Sequence, residues 1–306
     1  MKSIAFIFPG QGSQYVGMGR ELFENFSVAK KIFEEADDTL HFSVSALCFK
    51  GPEEALKLTE NTQPAVLTTS VAALKVLQAE KGMAPQFTAG HSLGEYSALV
   101  ASEALTFSQA VKVVRLRGKF MQEAVPVGEG AMAAVLGMER EQIEKLCEEI
   151  SSGEVLAPAN FNSPGQIVIA GHSKAVQRAI ERVKQEGKKA VLLPVSAPFH
   201  SSLMKPAGER LEKALEEISV SDLKIPVVTN VEAEANTSKD RVKELLVAQV
   251  SRPVRWEESM RNMIGKGIEL VLEIGPGKVL SGLMKRIDSR VETKNLEDLQ
   301  TLKKIS

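Results

Sequence analysis

The feature of this sequence that most limits its fold is the alternation of short apolar segments with segments of helical periodicity. Ile4–Phe8 and residues 87–91 are typical of buried strands, and each is followed by a glycine-containing turn and then by helix-like sequence. An alternating order of strands and helices favours a parallel sheet covered by helices, because parallel strands need a crossover connection. The length of 306 residues leaves room for two domains. We therefore expect an α/β fold.

The alternation is interrupted at residues 126–130, where one proline and two glycines indicate a linker. From there to Pro198 the predicted order is strand, helix, strand, strand, helix, strand, which is the signature of a ferredoxin-like unit. The α/β pattern then resumes. We therefore predict a large α/β domain formed by residues 1–127 and 198–306, into which a ferredoxin-like α+β subdomain of residues 128–197 is inserted.

Charge and cysteine content exclude several classes of protein. The 38 basic and 39 acidic side chains give a net charge of −1, whereas a domain that binds nucleic acid usually carries a basic excess. Cys48 and Cys147 form no disulfide framework and no CxxC pair, so a reducing cytoplasm is the expected compartment. No segment has the length of a signal-peptide core or the roughly 20 apolar residues of a membrane span. We expect neither a nucleic-acid nor a membrane partner.

One motif predicts a nucleophile at the end of the second strand. The sequence GHSLG at residues 90–94 matches G-x-S-x-G and lies between a predicted strand and a predicted helix, which is the context of a nucleophile elbow. The amide of Leu93 would lie at the helix N-terminus, where N–H groups lack partners and favour an anion. We predict that Ser92 is a nucleophile; the alternative is a chance match in a loop.

A serine nucleophile needs a base, and the chain has four histidines. His91 adjoins Ser92, and neighbouring side chains on a strand point to opposite faces. His41 lies in no motif, and His172 follows a strand at a predicted helix start. His200 remains, in a loop where the chain re-enters the large domain. The alternative for His200 is a loop histidine exposed to solvent.

No Asp or Glu lies in a motif next to His200, although hydrolases with such an elbow use an acid between the serine and the histidine. The orienting group could be a backbone carbonyl, and the helix that ends near Val250 offers one because Pro253 blocks its continuation. Gln249 falls on the apolar face of that helix. It is either a buried polar group with a function or the frayed end of an apolar stripe.

Arg117 lies on the apolar face of the helix predicted at residues 108–124. Its neighbours three and four positions away are all apolar, whereas Arg115 shares a face with polar residues and is expected to be solvated. A buried guanidinium requires an anionic partner. That partner is either a carboxylate elsewhere in the fold or a ligand carboxylate that the planar fork binds at two points.

The glycine-rich turn at residues 10–14 does not complete a nucleotide-binding motif. Tyr15 stands where the third glycine of G-x-G-x-x-G belongs, and Met18 and Gly19 stand where a P-loop needs Lys and Ser or Thr. The turn could instead offer the amide of Gln11 as a second donor to an oxyanion.

Taken together, the sequence resembles the malonyl-CoA:acyl carrier protein transacylases of fatty acid synthesis over essentially the whole chain. The motifs that carry the resemblance are FPGQGSQ at residues 8–14, GHSLGEY at 90–96, RLRG at 115–118, NFNSPGQIVIAG at 160–171, PFHS at 198–201, QVSRPVRW at 249–256 and EIGPG at 273–277. The resemblance implies a hydrolase-like parallel-sheet domain with the ferredoxin-like insertion, and a site between the two. It implies Ser92 as the nucleophile, His200 as its base and Gln249 as the residue that orients the histidine through its backbone carbonyl.

The resemblance also implies the substrates. Arg117 would bind the free carboxylate of a malonyl group, and the amides of Gln11 and Leu93 would form the oxyanion hole. Malonyl-CoA and an acidic acyl carrier protein would be the partners of an enzyme that needs no metal and no cofactor. Apart from the resemblance, we expect a monomer. The alternatives are an esterase or thioesterase with the same elbow, a non-catalytic subunit that binds carrier protein, and an acyltransferase of polyketide synthesis. The basic residues predicted to dock the carrier protein are Arg182, Lys184, Lys188 and Lys189.

Overall fold

Two β-sheets organise the chain, in a computed structural model that describes residues 2–195 and 197–305. The strands are, in chain order, β1 (Ile4–Phe8), β2 (Phe87–Gly90), β3 (Gly130–Leu136), β4 (Leu156–Ser163), β5 (Gln166–His172), β6 (Lys189–Leu192), β7 (Val227–Val228), β8 (Ala235–Asn236), β9 (Leu270–Ile274) and β10 (Glu292–Leu296).

Helices cover both sheets. In chain order they are α1 (Arg20–Asn25), α2 (Ser27–Leu40), α3 (Val44–Lys50), α4 (Glu53–Lys57), α5 (Thr59–Lys81), α6 (Gly94–Ala101), α7 (Phe107–Glu123), α8 (Arg140–Ser151), α9 (Ser173–Gln185), α10 (Lys205–Glu216), α11 (Val242–Ser251), α12 (Trp256–Gly265), α13 (Val279–Ile287) and α14 (Leu299–Lys303).

The six-stranded sheet has the order β10-β9-β1-β2-β7-β8, and every neighbouring pair is parallel except β7 and β8. Its central strand β1 is apolar at all five positions, since one core packs on each face of the sheet. Phe8 at the end of β1 pairs with Gly90 at the end of β2. The turns that follow these two strands therefore lie side by side.

The four-stranded sheet is antiparallel, with the order β4-β5-β3-β6. Helices α8 and α9 cover it and enclose a separate apolar cluster. The strand order and the two covering helices are those of a ferredoxin-like unit, and the predicted fold class is confirmed. The exact limits of that unit, residues 128–197 within the larger domain, remain our proposal.

A short backbone link joins the two sheets. Val254, in the loop after α11, donates its amide to the carbonyl of Ala159 and accepts from the amide of Phe161, both at 2.9 Å. This link lies beside the carboxyl ends of β1 and β2, because Asn162 on the same strand contacts His91. The antiparallel sheet is thereby fixed next to the end of the parallel sheet at which a site is expected.

Pro64 favours the first turn of a helix, whereas α5 begins at Thr59 and Pro64 lies inside it. The helix tolerates it because a proline in the second turn removes a single amide donor, and α5 is buried along most of its length. The sequence did not predict α3, α4, α14, β8 or β10. These are short elements whose stability comes from packing rather than from their own periodicity.

Candidate active site

Ser92 occupies a strained turn between β2 and α6. Its φ is +51°, in the left-handed region that non-glycine residues rarely adopt. A side chain at Gly90 would overlap the backbone of Gly94, and a side chain at Gly94 would overlap the backbone of Phe8. Only glycine fits on either side of the serine, which is the physical basis of the G-x-S-x-G pattern in this chain.

Asn230, which the sequence analysis missed, braces this turn. Its Oδ1 accepts a hydrogen bond from the Ser92 amide at 2.7 Å, and its Nδ2 donates to the carbonyl of Gly90 at 2.7 Å. Asn230 lies shortly after β7, the strand next to β2. The position of a polar residue behind a predicted strand was the available signal, because the carboxyl ends of neighbouring parallel strands meet at one edge.

His200 lies next to Ser92 and is 4% exposed, so the alternative of a solvent-exposed loop histidine is wrong. Its Nε2 is 2.7 Å from the Ser92 hydroxyl oxygen, and its Nδ1 is 2.8 Å from the backbone carbonyl oxygen of Gln249. That carbonyl can only accept, so Nδ1 carries the proton and Nε2 is free to accept from the serine. Burial and the nearby Arg117 guanidinium lower the pKa of His200 to about 3, and the imidazole is therefore neutral.

Gln249 is fully buried near the end of α11, which excludes the frayed-end alternative. Its side-chain oxygen accepts from Nη2 of Arg117 at 2.9 Å. Its Nε2 donates to Oε2 of Glu95 at 2.8 Å and to the carbonyl of Ser92 at 3.1 Å. The backbone of Gln249 therefore contacts the histidine while its side chain contacts the arginine, the glutamate and the elbow.

Arg117 is 1% exposed and is directed at the serine. Its Nη2 donates to the Ser92 hydroxyl oxygen at 3.1 Å, and its Nη1 donates to Oε1 of Gln63 at 2.9 Å. Its Nε has no hydrogen-bond partner among the residues that the structure describes. Within residues 2–195 and 197–305, no carboxylate forms an ion pair with this guanidinium. A buried cation with neutral partners is suited to receive an anionic ligand.

Arg115 is half-buried, which corrects the expectation that it is solvated. Its Nη1 donates to Oδ1 of Asn61 at 3.1 Å, and its guanidinium lies 4.1 Å from the ring centroid of Phe42. The polar face of α7 is covered in part by α5 and by the turn after α2, which the periodicity of one helix cannot show. Arg115 and Arg117 nevertheless point to different surroundings, as predicted.

The amides of Gln11 and Leu93 are available for an oxyanion. Both residues line the cavity that contains the Ser92 hydroxyl, and neither amide donates to an acceptor in the described part of the chain. The amide of Ser92 itself is already bonded to Asn230. The two predicted donors therefore remain unpaired beside the nucleophile.

The cavity at Ser92 has a volume of about 100 Å³. Its lining combines the apolar side chains of Met121, Met132 and Phe199 with the polar side chains of Gln63 and Arg117. A second cavity of about 190 Å³ adjoins it, because several residues line both. The shared lining residues are Gln11, His91, Asn160 and Leu193. The pair of cavities forms an extended channel that ends at the serine.

The ring of His91 forms a hydrogen bond to the antiparallel sheet and not to the Ser92 hydroxyl, in agreement with its exclusion as the base. Its Nε2 lies 2.8 Å from Oδ1 of Asn162 on β4, and its ring packs against Trp256 with centroids 5.5 Å apart. Burial lowers the pKa of His91, so its ring is neutral and its Nε2–H donates to the asparagine. His91 thus links the elbow to the antiparallel sheet.

In the part of the chain that the structure describes, no three His, Cys, Asp or Glu side chains are grouped so that they could hold a metal ion. Among the same residues no helix combines the length and the apolar character that a membrane crossing needs.

Comparisons with known proteins show which family the whole chain is similar to. Residues 5–303 match the acyl transferase domain family. The chain is 52% identical to the malonyl CoA-acyl carrier protein transacylase of Bacillus subtilis over 304 residues, which cover 99% of this chain and 96% of that protein. An acyl carrier protein S-malonyltransferase from Vibrio cholerae has a TM-score of 0.97 and 47% identity, over 99% of this chain and all (100%) of that one. A malonyl-transacylase solved with a type II polyketide acyl carrier protein has a TM-score of 0.96 and 46% identity, over 98% and 97% of the two chains.

Proposed function

The chain belongs to the malonyl-CoA:acyl carrier protein transacylases, and from this membership we propose that it transfers malonyl groups through an ester of Ser92. The malonyl group comes from malonyl-CoA and passes to the phosphopantetheine thiol of acyl carrier protein in fatty acid synthesis. The observation that carries the assignment of residues is Arg117. It is a buried guanidinium with neutral partners only, one hydrogen bond from the Ser92 hydroxyl.

In the first half-reaction the Ser92 oxygen attacks the thioester carbonyl carbon of malonyl-CoA. Nε2 of His200 takes the serine proton, and the Gln249 carbonyl holds the ring through Nδ1–H. The amides of Gln11 and Leu93 stabilise the oxyanion of the tetrahedral intermediate. When the C–S bond breaks, His200 returns the proton to the departing thiol of coenzyme A, and the malonyl ester of Ser92 remains.

In the second half-reaction the phosphopantetheine thiol attacks the ester carbonyl of the malonyl enzyme. His200 takes the thiol proton and then gives it to the Ser92 oxygen as the ester bond breaks. The same two amides stabilise the second tetrahedral intermediate, and Arg117 holds the malonyl carboxylate throughout. The products are malonyl carrier protein and free enzyme, so each proton taken by the histidine is returned within the cycle.

The competing reading is an esterase or thioesterase, which would pass the acyl group to water. Such enzymes use a carboxylate to orient and stabilise the charged histidine. Here a neutral carbonyl contacts Nδ1 of His200, and a guanidinium lies at the serine. The guanidinium supports acyl groups that carry a negative charge. The neutral carbonyl in place of a carboxylate supports an acyl acceptor other than water.

Intact mass spectrometry tests the proposal directly. Brief exposure to malonyl-CoA is expected to add one malonyl group to Ser92, and addition of holo acyl carrier protein is expected to remove it faster than water does. Ser92→Ala should give no adduct. Ser97→Ala is a matched control, since Ser97 is buried on α6 and its hydroxyl has no hydrogen-bond partner in the described part of the chain. Loss of the adduct to water at the rate seen with carrier protein would favour the thioesterase.

A role in polyketide synthesis is a second candidate, because a relative of similar structure was solved with a type II polyketide carrier protein. Comparison of kcat/KM for a fatty acid carrier protein and a polyketide carrier protein distinguishes the two roles.

We further propose that the enzyme is a cytoplasmic monomer, with Cys48 and Cys147 as buried free thiols. Light scattering at micromolar concentration tests the monomer, and thiol titration of protein from intact cells tests the reduced state.

A further inference from the structure

Glu95 is a buried carboxylate that the proposed mechanism does not use. It lies on α6, three positions after Ser92, and is 2% exposed. Its Oε2 accepts from the backbone amide of Asn230 at 2.9 Å and from Nε2 of Gln249 at 2.8 Å. These two partners are the residues that brace the elbow and hold the histidine. The carboxylate of Glu95 therefore contacts the residues that support the reaction centre and not the Ser92 hydroxyl.

The side-chain amide of Gln249 connects Glu95 to Arg117. Its nitrogen faces the carboxylate, and its oxygen faces the guanidinium at 2.9 Å. The reverse orientation would direct the amide oxygen at the carboxylate and the amide nitrogen at the guanidinium, which opposes both charges. One buried anion and one buried cation thus compensate each other across a single amide.

Few other groups act on Glu95. The charged or titratable side chains that interact with it are Arg117 on α7 and Tyr96 on α6 itself. Burial raises the pKa of Tyr96, so its hydroxyl is neutral. The partners from α11 and from the loop after β7, Gln249 and Asn230, carry no charge. The empty site therefore holds one positive and one negative charge in a nearly solvent-free cluster.

A malonyl group on Ser92 brings a second carboxylate into this cluster. The malonyl carboxylate would then contact the guanidinium directly, while Glu95 acts on it through the amide of Gln249. Two buried carboxylates near one cation do not both stay ionised without a large cost. We propose that Glu95 is the resident counter-charge of Arg117, and that it becomes neutral by taking one proton from solvent when a malonyl group is loaded. An acetyl group brings no charge and leaves Glu95 ionised. This inference rests on the proposed function.

The environment of Glu95 suits the uptake of a proton by its carboxylate. Burial raises the pKa of its carboxyl to about 7, and the hydrogen bonds from Asn230 and Gln249 and the charge of Arg117 limit the rise. A carboxyl with this pKa is largely ionised slightly above neutral pH. A nearby second anion raises its pKa further, so the direction of proton movement on malonyl loading is uptake.

Proton uptake on loading is measurable with a pH-indicator dye in weakly buffered solution. Acyl transfer with release of the coenzyme A thiol consumes no proton, and an acetyl-CoA reaction corrects for ionisation of that thiol. At about pH 7.5 we expect the wild-type enzyme to take up roughly half a proton or more per malonyl adduct beyond the acetyl value. Glu95→Gln should abolish this excess, because the amide keeps the geometry and cannot take the proton.

Glu273→Gln is the matched control. Glu273 is a fully buried glutamate on β9 whose oxygens accept from the amides of Leu280 and Ser281, and it lies outside the active site. This variant should retain the full excess uptake. The adducts are counted by intact mass spectrometry in every sample, so that uptake is expressed per acylated serine.

The outcomes separate the inference from the proposed function. If no malonyl adduct forms on the wild-type enzyme, the proposed function fails. If the adduct forms without excess uptake, or if Glu95→Gln retains the excess, the role of Glu95 is overturned and the function stands. If Glu95→Gln does not fold, the pH dependence of proton uptake by the wild-type enzyme tests the role of Glu95. Its excess must disappear below about pH 5.5, where Glu95 is already protonated, and persistence of the excess there overturns the proposal.

Discussion

Nη2 of Arg117 lies 3.1 Å from the hydroxyl oxygen of Ser92. The cation is thus within one hydrogen bond of the atom that becomes acylated. In a malonyl ester only one methylene separates the ester carbonyl from the free carboxylate, so the carboxylate stays within reach of the guanidinium. An acetyl ester has a methyl group in place of that carboxylate. This short distance makes Arg117 the residue that distinguishes the two acyl groups.

Arg117→Ala should reduce malonyl transfer and raise the relative rate with acetyl-CoA. Loss of a charge-assisted contact of about 1.5–3 kcal/mol corresponds to a decrease of about 10- to 100-fold in the malonyl-to-acetyl ratio of kcat/KM. The malonyl-to-acetyl ratio of Arg117→Lys should lie between those of the wild-type enzyme and Arg117→Ala, because lysine keeps the charge and loses the planar fork. The measurement is competition between the two thioesters for Ser92, read by intact mass.

Arg115→Ala is the control for Arg117. It removes the hydrogen bond to Asn61 and the packing on Phe42, so a loss of stability of roughly 1 kcal/mol is expected. The malonyl-to-acetyl ratio should stay at the wild-type value. An unchanged ratio in Arg117→Ala, or an equal decrease in both variants, would show that Arg117 does not bind the acyl carboxylate.

Phe199→Ser should admit methylmalonyl-CoA better than the wild-type enzyme does. Phe199 lines the cavity at Ser92 and is 7% exposed, so its ring occupies space that an added methyl group needs. Phe107→Ser removes a similarly buried ring, 6% exposed, that does not line the cavity. Both variants should lose stability, and the methylmalonyl-to-malonyl ratio should rise in Phe199→Ser alone. A rise in both, or in neither, would assign Phe199 to core packing.

The pH dependence of acylation should lack the limb that a solvent-exposed histidine produces near pH 6.5. Only neutral His200 can take the Ser92 proton, and burial together with Arg117 lowers its pKa to about 3. The neutral form therefore predominates from about pH 4 upward, and protonation does not slow acylation until the pH falls toward that value. The test uses acetyl-CoA, because an acetyl group brings no second carboxylate into the site and therefore does not change the protonation of Glu95. A tenfold decrease in kcat/KM per unit below about pH 6.5 would contradict the low pKa.

Local patterns predicted a large part of this site. The elbow follows from glycines on both sides of Ser92 between a strand and a helix, and burial of Arg117 follows from the apolar residues around it on one helix. A backbone carbonyl at the end of α11 was predicted as a contact of the histidine because Pro253 ends that helix, and the family resemblance implied that the carbonyl is that of Gln249. Each inference used residues within a few positions of one another, where the periodicity of a helix or strand fixes the geometry.

Residues that act across the fold were out of reach of such patterns. Asn230 contacts Ser92 from 138 positions away, and Gln63 contacts Arg117 from 54 positions away. The sequence showed Glu95 only as one residue of the GHSLGEY motif. Its buried hydrogen-bond partners depend on the packing of α6 against α11 and the loop after β7. The half-burial of Arg115 likewise depends on neighbouring segments. The periodicity of one helix or strand shows which residues share a face, whereas the tertiary packing determines which other segments cover that face.

The last prediction concerns the surface that binds the acidic carrier protein. The predicted basic cluster surrounds the start of β6, the edge strand of the antiparallel sheet, where Lys188 and Lys189 are exposed. Arg182 pairs with Glu186 and contributes less free charge. Leu193, four positions after Lys189, lines the cavity, and an extended chain of that length spans about 13 Å. The cluster is thus close enough to the channel to position a carrier protein whose phosphopantetheine arm enters it.

Reversal of both lysines, Lys188→Glu with Lys189→Glu, should raise the KM for carrier protein and weaken its salt dependence, because opposite charges mainly accelerate association. Malonylation of Ser92 by malonyl-CoA should be unchanged. Reversal of Lys30 and Lys31, an exposed pair on α2 that does not line the cavity, controls for net charge. If carrier-protein kinetics are unchanged, or change equally in both double variants, the lysines only complement the helix end. The docking surface must then be sought at the arginines after α11 and on α12, which are Arg252, Arg255 and Arg261.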